Sequence, residues 1–310
     1  MEDKKIVFLG TPEIAARFLS GIISRGIKIS LVVTNPDKVR GRNNLVIESP
    51  VSRVARENNI KVFKPIKLND DYSEIEKIKP DLILTFAYGQ ILSTKVLSLS
   101  KYKPLNIHGS LLPKYRGASP IQQAIKNGDA KTGISIIEMV KEMDAGPIYA
   151  KKEIVIDISD NYTSLSEKVA NSSIDLFLDV IDDYFESKII PETQEESKVS
   201  YCHYILKDEY KLSLDEDVNT FINHVRYLSF TPGAYLNYDN NKVKIYSCNK
   251  YEKEDIIGNV GQLIIDGKHL LLKLKKGVVE ITSLQFANKN KISSIDYING
   301  NKNKEGIVLY

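Results

Sequence analysis

Over its first hundred residues the chain alternates short apolar runs with stretches of helical spacing, and this alternation restricts the fold more than any other feature. Residues 5–9, 27–34 and 81–86 are dominated by apolar side chains, the pattern of strands covered on both faces. Gly10-Thr11-Pro12-Glu13 follows the first run. Thr11 suits a helix N-cap, Pro12 the first helical position and Glu13 the positive helix end. Residues 50–59 and 70–78 read as further helices and 61–63 as a short strand. Strands and helices at this spacing predict a parallel sheet with right-handed crossovers. No GxGxxG follows the first strand, so a dinucleotide site is not expected.

A length of 310 residues suits two domains. Hydrophobic residues make up 42% and charged residues 27%, as in a soluble globular protein. The net charge of +3 does not by itself indicate a nucleic-acid binder, so any such binding has to come from local patches. Cys202 and Cys248 have neither metal-site spacing nor a disulfide framework, and two free thiols in a reducing compartment are expected. The start, Met-Glu-Asp-Lys-Lys, is not that of a signal peptide, and no run approaches the roughly 20 apolar residues of a membrane span. A cytoplasmic protein with no membrane partner is expected.

Residues 104–146 carry the chemistry. Leu105-Asn106-Ile107-His108 reads as a short strand, on which Asn106 and His108, two residues apart, share a face. His108-Gly109-Ser110 leaves it in a turn, and the basic loop Lys114-Tyr115-Arg116-Gly117 follows Pro113. Residues 118–127 read as a helix, with Ser119 and Pro120 at its start and Gly128 beyond its end. Residues 133–139 are the next strand, and Asp144 follows in a turn closed by Gly146. An amide donor, an imidazole and a carboxylate at strand ends meet the needs of acyl transfer to an amine. The amide stabilises the oxyanion, the imidazole holds or moves a proton, and the carboxylate orients the imidazole or stabilises its charged form.

The ordered set Asn106-x-His108-x-Ser110-Leu111-Leu112-Pro113, then Arg116-Gly117 and Asp144-x-Gly146, resembles the folate-dependent formyltransferase family. The resemblance covers nearly the whole chain, strongest from Gly10 to Gly146 and weakest after Leu236. Members of the family take a formyl group from 10-formyltetrahydrofolate and place it on an amine. The resemblance implies Asn106, His108 and Asp144 as catalytic residues and no metal. It implies a formyl-folate pocket formed by Phe86, Ala87, Tyr88, Gly89 and Ile91, largely through backbone groups. Ser110, Leu111, Leu112, Pro113, Met139 and Val140 are expected to complete that pocket. In members that act on initiator methionyl-tRNA, the loop matching residues 35–50 reaches toward the acceptor stem. Arg42 falls on that loop's arginine and Arg40 lies beside it. Asn43, Asn44 and Leu45 stand where the family often has lysines, so an extended basic loop is not expected. Lys114 and Arg116 are assigned to the tRNA substrate with them.

Residues 162–186 carry apolar side chains at helical spacing and complete the first domain, taken as 1–188. Residues 189–204 are polar, with Pro191 and paired glutamates, and read as a linker. In residues 205–310 one helix, 218–228, precedes short runs at 233–237, 242–247, 258–265, 269–275 and 277–286. Turns such as Asp239-Asn240-Asn241 and Asp266-Gly267 separate them, which predicts a small OB-like β-barrel. Thr231-Pro232-Gly233-Ala234 resembles the family's Pro-Gly-Ala turn, although the chain has no Trp. This part holds 15 Lys and Arg against 13 Asp and Glu, a net +2. Lys273, Lys275 and Lys276 cluster at one strand end, a footprint for phosphate backbone of the kind the family's second domain offers to tRNA.

The expectation is therefore an α/β, Rossmann-like catalytic domain followed by an OB-like barrel. It would pass formyl from 10-formyltetrahydrofolate to the α-amine of methionyl initiator tRNA, as a monomer. One alternative keeps the chemistry and changes the acceptor to an amino-sugar nucleotide, or to water as in a formyl-folate hydrolase. Fused versions carry a further large catalytic domain, for which 310 residues leave no room. The other alternative is a non-catalytic RNA-binding relative. The intact Asn106, His108 and Asp144 set argues against it.

Overall fold

The computed structural model describes residues 4–40, 45–253, 255–301 and 307–310. The chain divides into two compact units. One comprises Met1–Pro120, Lys131–Val155 and Ser166–Cys202, the other Ile121–Ala130, Ile156–Leu165 and His203–Tyr310.

Up to Cys202 the elements run β1 (Ile6–Gly10), α1 (Glu13–Ser24), β2 (Ile29–Val33), β3 (Lys38–Arg40), β4 (Leu45–Ile47), α2 (Pro50–Glu57), β5 (Val62–Phe63), α3 (Ser73–Ile78), β6 (Leu82–Phe86) and α4 (Thr94–Leu97). They continue with β7 (Leu105–His108), β8 (Arg116–Gly117), α5 (Pro120–Lys126), β9 (Lys131–Glu138), β10 (Ile148–Val155), α6 (Tyr162–Phe185) and β11 (Tyr201–Cys202). The central sheet has the order β10-β9-β7-β6-β1-β2-β5. From β7 to β5 neighbours are parallel, and β9 and β10 run antiparallel. This is the Rossmann-like parallel sheet that the apolar runs predict. Val7, Leu9, Leu31, Val33 and Ile83 form a core on one face, with Tyr88, Leu92 and Val96. On α1, Phe18 stacks on Phe8 at 6.0 Å and meets Phe86 and Phe177 edge-on at 5.6 Å each. Strand order reverses between β1 and β6, and ligands of open parallel sheets gather at the carboxyl ends around such a point.

Two local expectations change. Thr11 does not cap α1: Pro12 occupies the N-cap in extended conformation with no side-chain cap, and the Thr11 hydroxyl donates to the Tyr88 carbonyl at 3.2 Å. Tertiary hydrogen bonding wins over the local cap. Residues 35–50 also hold more structure than an irregular loop, because β3 pairs antiparallel with β4.

In the second unit α7 (Val218–Leu228) is capped by Asp217, whose carboxylate accepts from the Asn219 and Thr220 amides at 3.0 and 3.1 Å. Then follow β12 (Ala234–Tyr238), β13 (Asn241–Lys250), β14 (Leu263–Asp266), β15 (His269–Leu274), β16 (Gly277–Phe286), β17 (Ile292–Ser293) and α8 (Ser294–Asn301). The antiparallel sheet has the order β12-β13-β16-β15-β14, with β17 on β16. Among the described residues its edge strands β12 and β14 do not pair with each other, so no closed barrel forms from the strands. The terminal residues bond to both edges instead: Tyr310 exchanges hydrogen bonds with Asn237, and the Leu263 amide donates to the Ile307 carbonyl.

Candidate active site

Strand β7 turns Asn106 and His108 to one face, as its period of two requires. His108 is 5% exposed. Its Nε2 lies 2.8 Å from the Tyr115 carbonyl. A carbonyl only accepts, so Nε2 carries a proton and Nδ1 is the nitrogen left for chemistry. Nδ1 faces Asp144 Oδ2 at 3.5 Å. The other carboxylate oxygen, Oδ1, accepts from Asn106 Nδ2 at 3.4 Å, and Oδ2 accepts from the Gly117 amide at 2.9 Å. In a neutral imidazole of this tautomer two acceptors would face each other. Nδ1 is therefore placed to accept a proton, with a carboxylate beside it to offset the charge.

Asp144 stands at φ +52°, in the left-handed region. The turn closes tightly: a Cβ on Gly146 would lie 1.9 Å from the Glu138 carbonyl oxygen. Gln194 Nε2 donates to the carbonyls of Asp144 and Gly146 at 2.7 and 2.8 Å, and its Oε1 accepts from Arg116 Nε at 3.0 Å. Arg116 is buried and pairs with Glu196 at 2.8 Å. Burial works against its charge, but Glu196 and Tyr201 outweigh that and raise its pKa. Strand β8 lies parallel to β11, and the Tyr115 amide donates to Ser200 Oγ at 3.0 Å.

The second part of the site is the turn after β6. Ala87 (φ +50°) and Gly89 (φ +85°) are exposed, as is Ile91, while the Tyr88 side chain enters the core. Asn35 Nδ2 and the Thr11 hydroxyl both donate to the Tyr88 carbonyl, at 3.0 and 3.2 Å. Gln90 Nε2 donates to Asn35 Oδ1 at 2.7 Å, and Gln90 Oε1 accepts from the Leu68 amide. Met139 packs on the cluster that holds Tyr88 and Leu92, and Val140 beside it is half-buried. Tyr88 and Met139, from two of the segments expected to form one pocket, therefore share a core, whereas Leu112 of the third lies in a separate cluster with Ile137 and Ile148.

Several expected contacts are placed differently. Phe86, Tyr88 and Leu112 are buried in apolar clusters, so they can offer a ligand only backbone. Ser110 is also buried; its hydroxyl donates to the Lys114 carbonyl at 2.6 Å, which shapes the loop. Leu111 is half-buried over Gly133, and Pro113 is half-buried beside it. Arg116 is not available to a phosphate backbone, because its guanidinium is enclosed and engaged by Gln194 and Glu196. Lys114 is exposed, its Nζ 4.6 Å from the Tyr115 ring centroid. Arg40 ends β3, and Arg42 lies outside the described residues. In the second unit Lys275 and Lys276 are exposed and Lys273 half-buried, and Lys275 pairs with Asp215 at 2.6 Å. Sequence reasoning missed Gln194, Asn35 and Gln90, the role of Thr11, and the part Gly117 plays as donor to Asp144. Thr11 and Asn35 could have been found from their places just beyond the ends of β1 and β2; Gln194 has no such local signal.

The formyl transferase family description matches residues 4–181, and that of the formyl transferase C-terminal domain matches residues 204–302. The chain belongs to the formyl transferase family. Among curated formyl transferases, a methionyl-tRNA formyltransferase of Lactobacillus johnsonii is 38% identical over 298 residues, which is 95% of either chain. Among solved structures, HypX from Aquifex aeolicus in complex with tetrahydrofolic acid aligns with a TM-score of 0.67 at 18% identity over 95% of this chain; the chain spans about half of HypX (47%). An N-formyltransferase from Helicobacter canadensis, in complex with folinic acid and dTDP-3-aminofucose, aligns with a TM-score of 0.66 at 18% identity, over 93% of this formyl transferase and 99% of that chain. Among the described residues no group of three or more His, Cys, Asp or Glu is placed to hold a metal ion. No helix among them is long and apolar enough to cross a membrane.

Proposed function

We propose that this formyl transferase moves the formyl group of 10-formyltetrahydrofolate to the α-amino group of methionyl initiator tRNA, for translation initiation. The observation that carries the chemistry is the convergence of Asn106 Nδ2, His108 Nδ1 and both Asp144 oxygens on one face of β7. The acceptor is supported by the near full-length likeness to relatives named for methionyl-tRNA. The fold alone does not choose it, since a structural neighbour holds an amino-sugar nucleotide.

The turn at residues 87–89 fits a flat folate ring. A Cβ on Gly89 would meet only Asn35 Nδ2, at 3.7 Å, so a ligand can approach this backbone closely. The bound formyl-folate supplies a formyl carbon open to attack by an amine. Asn106 Nδ2 presents a donor to the formyl oxygen as it gains negative charge. The attacking amine is neutral and sheds a proton as its nitrogen bonds to the formyl carbon; the bond from that carbon to folate N10 breaks as the tetrahedral adduct collapses, and N10 takes up a proton as tetrahydrofolate leaves. With Nε2 committed to the Tyr115 carbonyl, Nδ1 of His108 is the nitrogen that receives or relays that proton. Asp144, held by the Gly117 amide, stabilises the imidazolium that results.

In this reading residues 1–188 perform formyl transfer, 189–204 connect them to the second domain while packing within the first unit as far as Cys202, and 205–310 bind tRNA. Arg40, Arg42, Lys114, Lys273, Lys275 and Lys276 contact its phosphates. The finer description of the second unit as an OB-like barrel is supported by the terminal residues that bond to both Asn237 and Leu263. A cytoplasmic, monomeric enzyme goes with this reading.

The test offers the purified protein 10-formyltetrahydrofolate with methionyl-charged initiator tRNA, a dTDP-amino sugar, or water alone, and follows acceptor mass and formate. Formyl on methionyl-tRNA only is the expected result. Formyl on the sugar, or free formate, keeps the chemistry and replaces the acceptor. No turnover with any of them defeats the reading.

A further inference from the structure

Gln194 lies between the two stretches matched by the family, 4–181 and 204–302, yet it is 7% exposed and touches the catalytic turn. Its amide clamps that turn at the left-handed residue and two residues beyond it, donating to the carbonyls of Asp144 and Gly146. Its oxygen takes the Arg116 Nε–H, and the next residue, Gly117, donates to Asp144 Oδ2. The Asp144 backbone and carboxylate are thus held from one structure: Gln194 fixes the first and, through Arg116, the strand that fixes the second.

We propose that Gln194 is a positioning residue for the Asp144 carboxylate, an inference that rests on the catalytic reading of Asp144. A primary amide supplies two donors and an acceptor without charge, which matches two carbonyls and one guanidinium. A carboxylate of the same shape would keep Arg116 but face both carbonyls with oxygen. Without the clamp the left-handed turn relaxes and carries the carboxylate away from His108 Nδ1 and Asn106 Nδ2. A displacement near 1 Å at reacting groups costs about a hundredfold in rate.

The test uses full-length Gln194→Glu, Gln194→Ala, Asp144→Ala and the double variant Gln194→Ala/Asp144→Ala. Formylation of methionyl-tRNA is followed under steady-state and single-turnover conditions. Both Gln194 variants are expected to lose about tenfold to a hundredfold in kcat, with KM for tRNA and formyl-folate changed by less than about twofold. The double variant is expected to be no slower than Asp144→Ala by more than about twofold, because both changes act on one group. If Gln194→Ala does not fold, the isosteric Gln194→Glu carries the comparison. Normal kcat in the Gln194 variants beside an impaired Asp144→Ala overturns the positioning role, as does a full additional loss in the double variant. An Asp144→Ala enzyme with ordinary turnover instead removes the catalytic reading, and this inference with it.

Discussion

The Gly117 amide donates to Asp144 Oδ2 at 2.9 Å from a backbone at φ +118°, where a Cβ would lie 2.2 Å from the Cys202 carbonyl oxygen. No side chain fits this position unless β8 moves off β11. Gly117→Ala is expected to lower kcat by about tenfold or more as the carboxylate loses its donor, and to cost about 1–3 kcal/mol of stability. Saturating formylation rates and a denaturant midpoint measure the two effects. If both stay at wild-type values, the close approach is not needed.

Removing the three convergent groups tests the mechanism directly. Asn106→Ala, His108→Ala and Asp144→Ala are each expected to lower kcat by about 10²–10³, the cost of losing one preorganised stabilising group. Circular dichroism should show the fold retained. A His108→Ala enzyme with near-normal turnover would leave the imidazole without a role.

Tyr88 gives a prediction of opposite sign. Its side chain is 2% exposed, and among the described residues its hydroxyl has no hydrogen-bond partner. Burial alone pushes that hydroxyl's pKa upward. Tyr88→Phe removes an unsatisfied buried group, and about 1 kcal/mol of added stability is expected. Activity should hold, because the turn meets its ligand through backbone. A lower urea midpoint would reveal a partner for the hydroxyl.

The enzyme should lose stability in alkali. Burial pushes the Cys248 thiol up to about 12, whereas an unfolded thiol titrates near 8.5. The folded state therefore holds this proton more tightly. The contribution is whole below about pH 8.5 and is lost as pH rises toward 12, with a slope of about 1.4 kcal/mol per pH unit. Buried Tyr184 and Tyr227 shift in the same direction. Urea midpoints at pH 8 and 10 should fall for the wild type and fall less for Cys248→Ala. An equal fall in both would show that Cys248 does not contribute.

What the sequence made legible was local. Leu105–His108, Val218–Leu228 and Gly277–Phe286 occupy the residues their composition and flanking turns predict. The parallel first sheet follows from apolar runs with helices between them. Contacts across long stretches of chain were not legible. Nothing around Arg116 says that Glu196 will neutralise it, and nothing around Gln194 says that Asp144 lies against it. Thr11 has the composition of a cap, but the Tyr88 carbonyl, distant in sequence, takes its hydroxyl. The alternating strands of the second unit predicted a barrel, but alternation sets which face is buried and not whether the two edges meet.

The turn at residues 87–89 is anchored by Thr11, Asn35 and Gln90, while the Asp144 turn is anchored by Gln194 and Gly117. The two anchoring sets share no residue. A substitution that loosens one turn therefore leaves the hydrogen bonds that hold the other in place, so the two halves of the site can be perturbed one at a time.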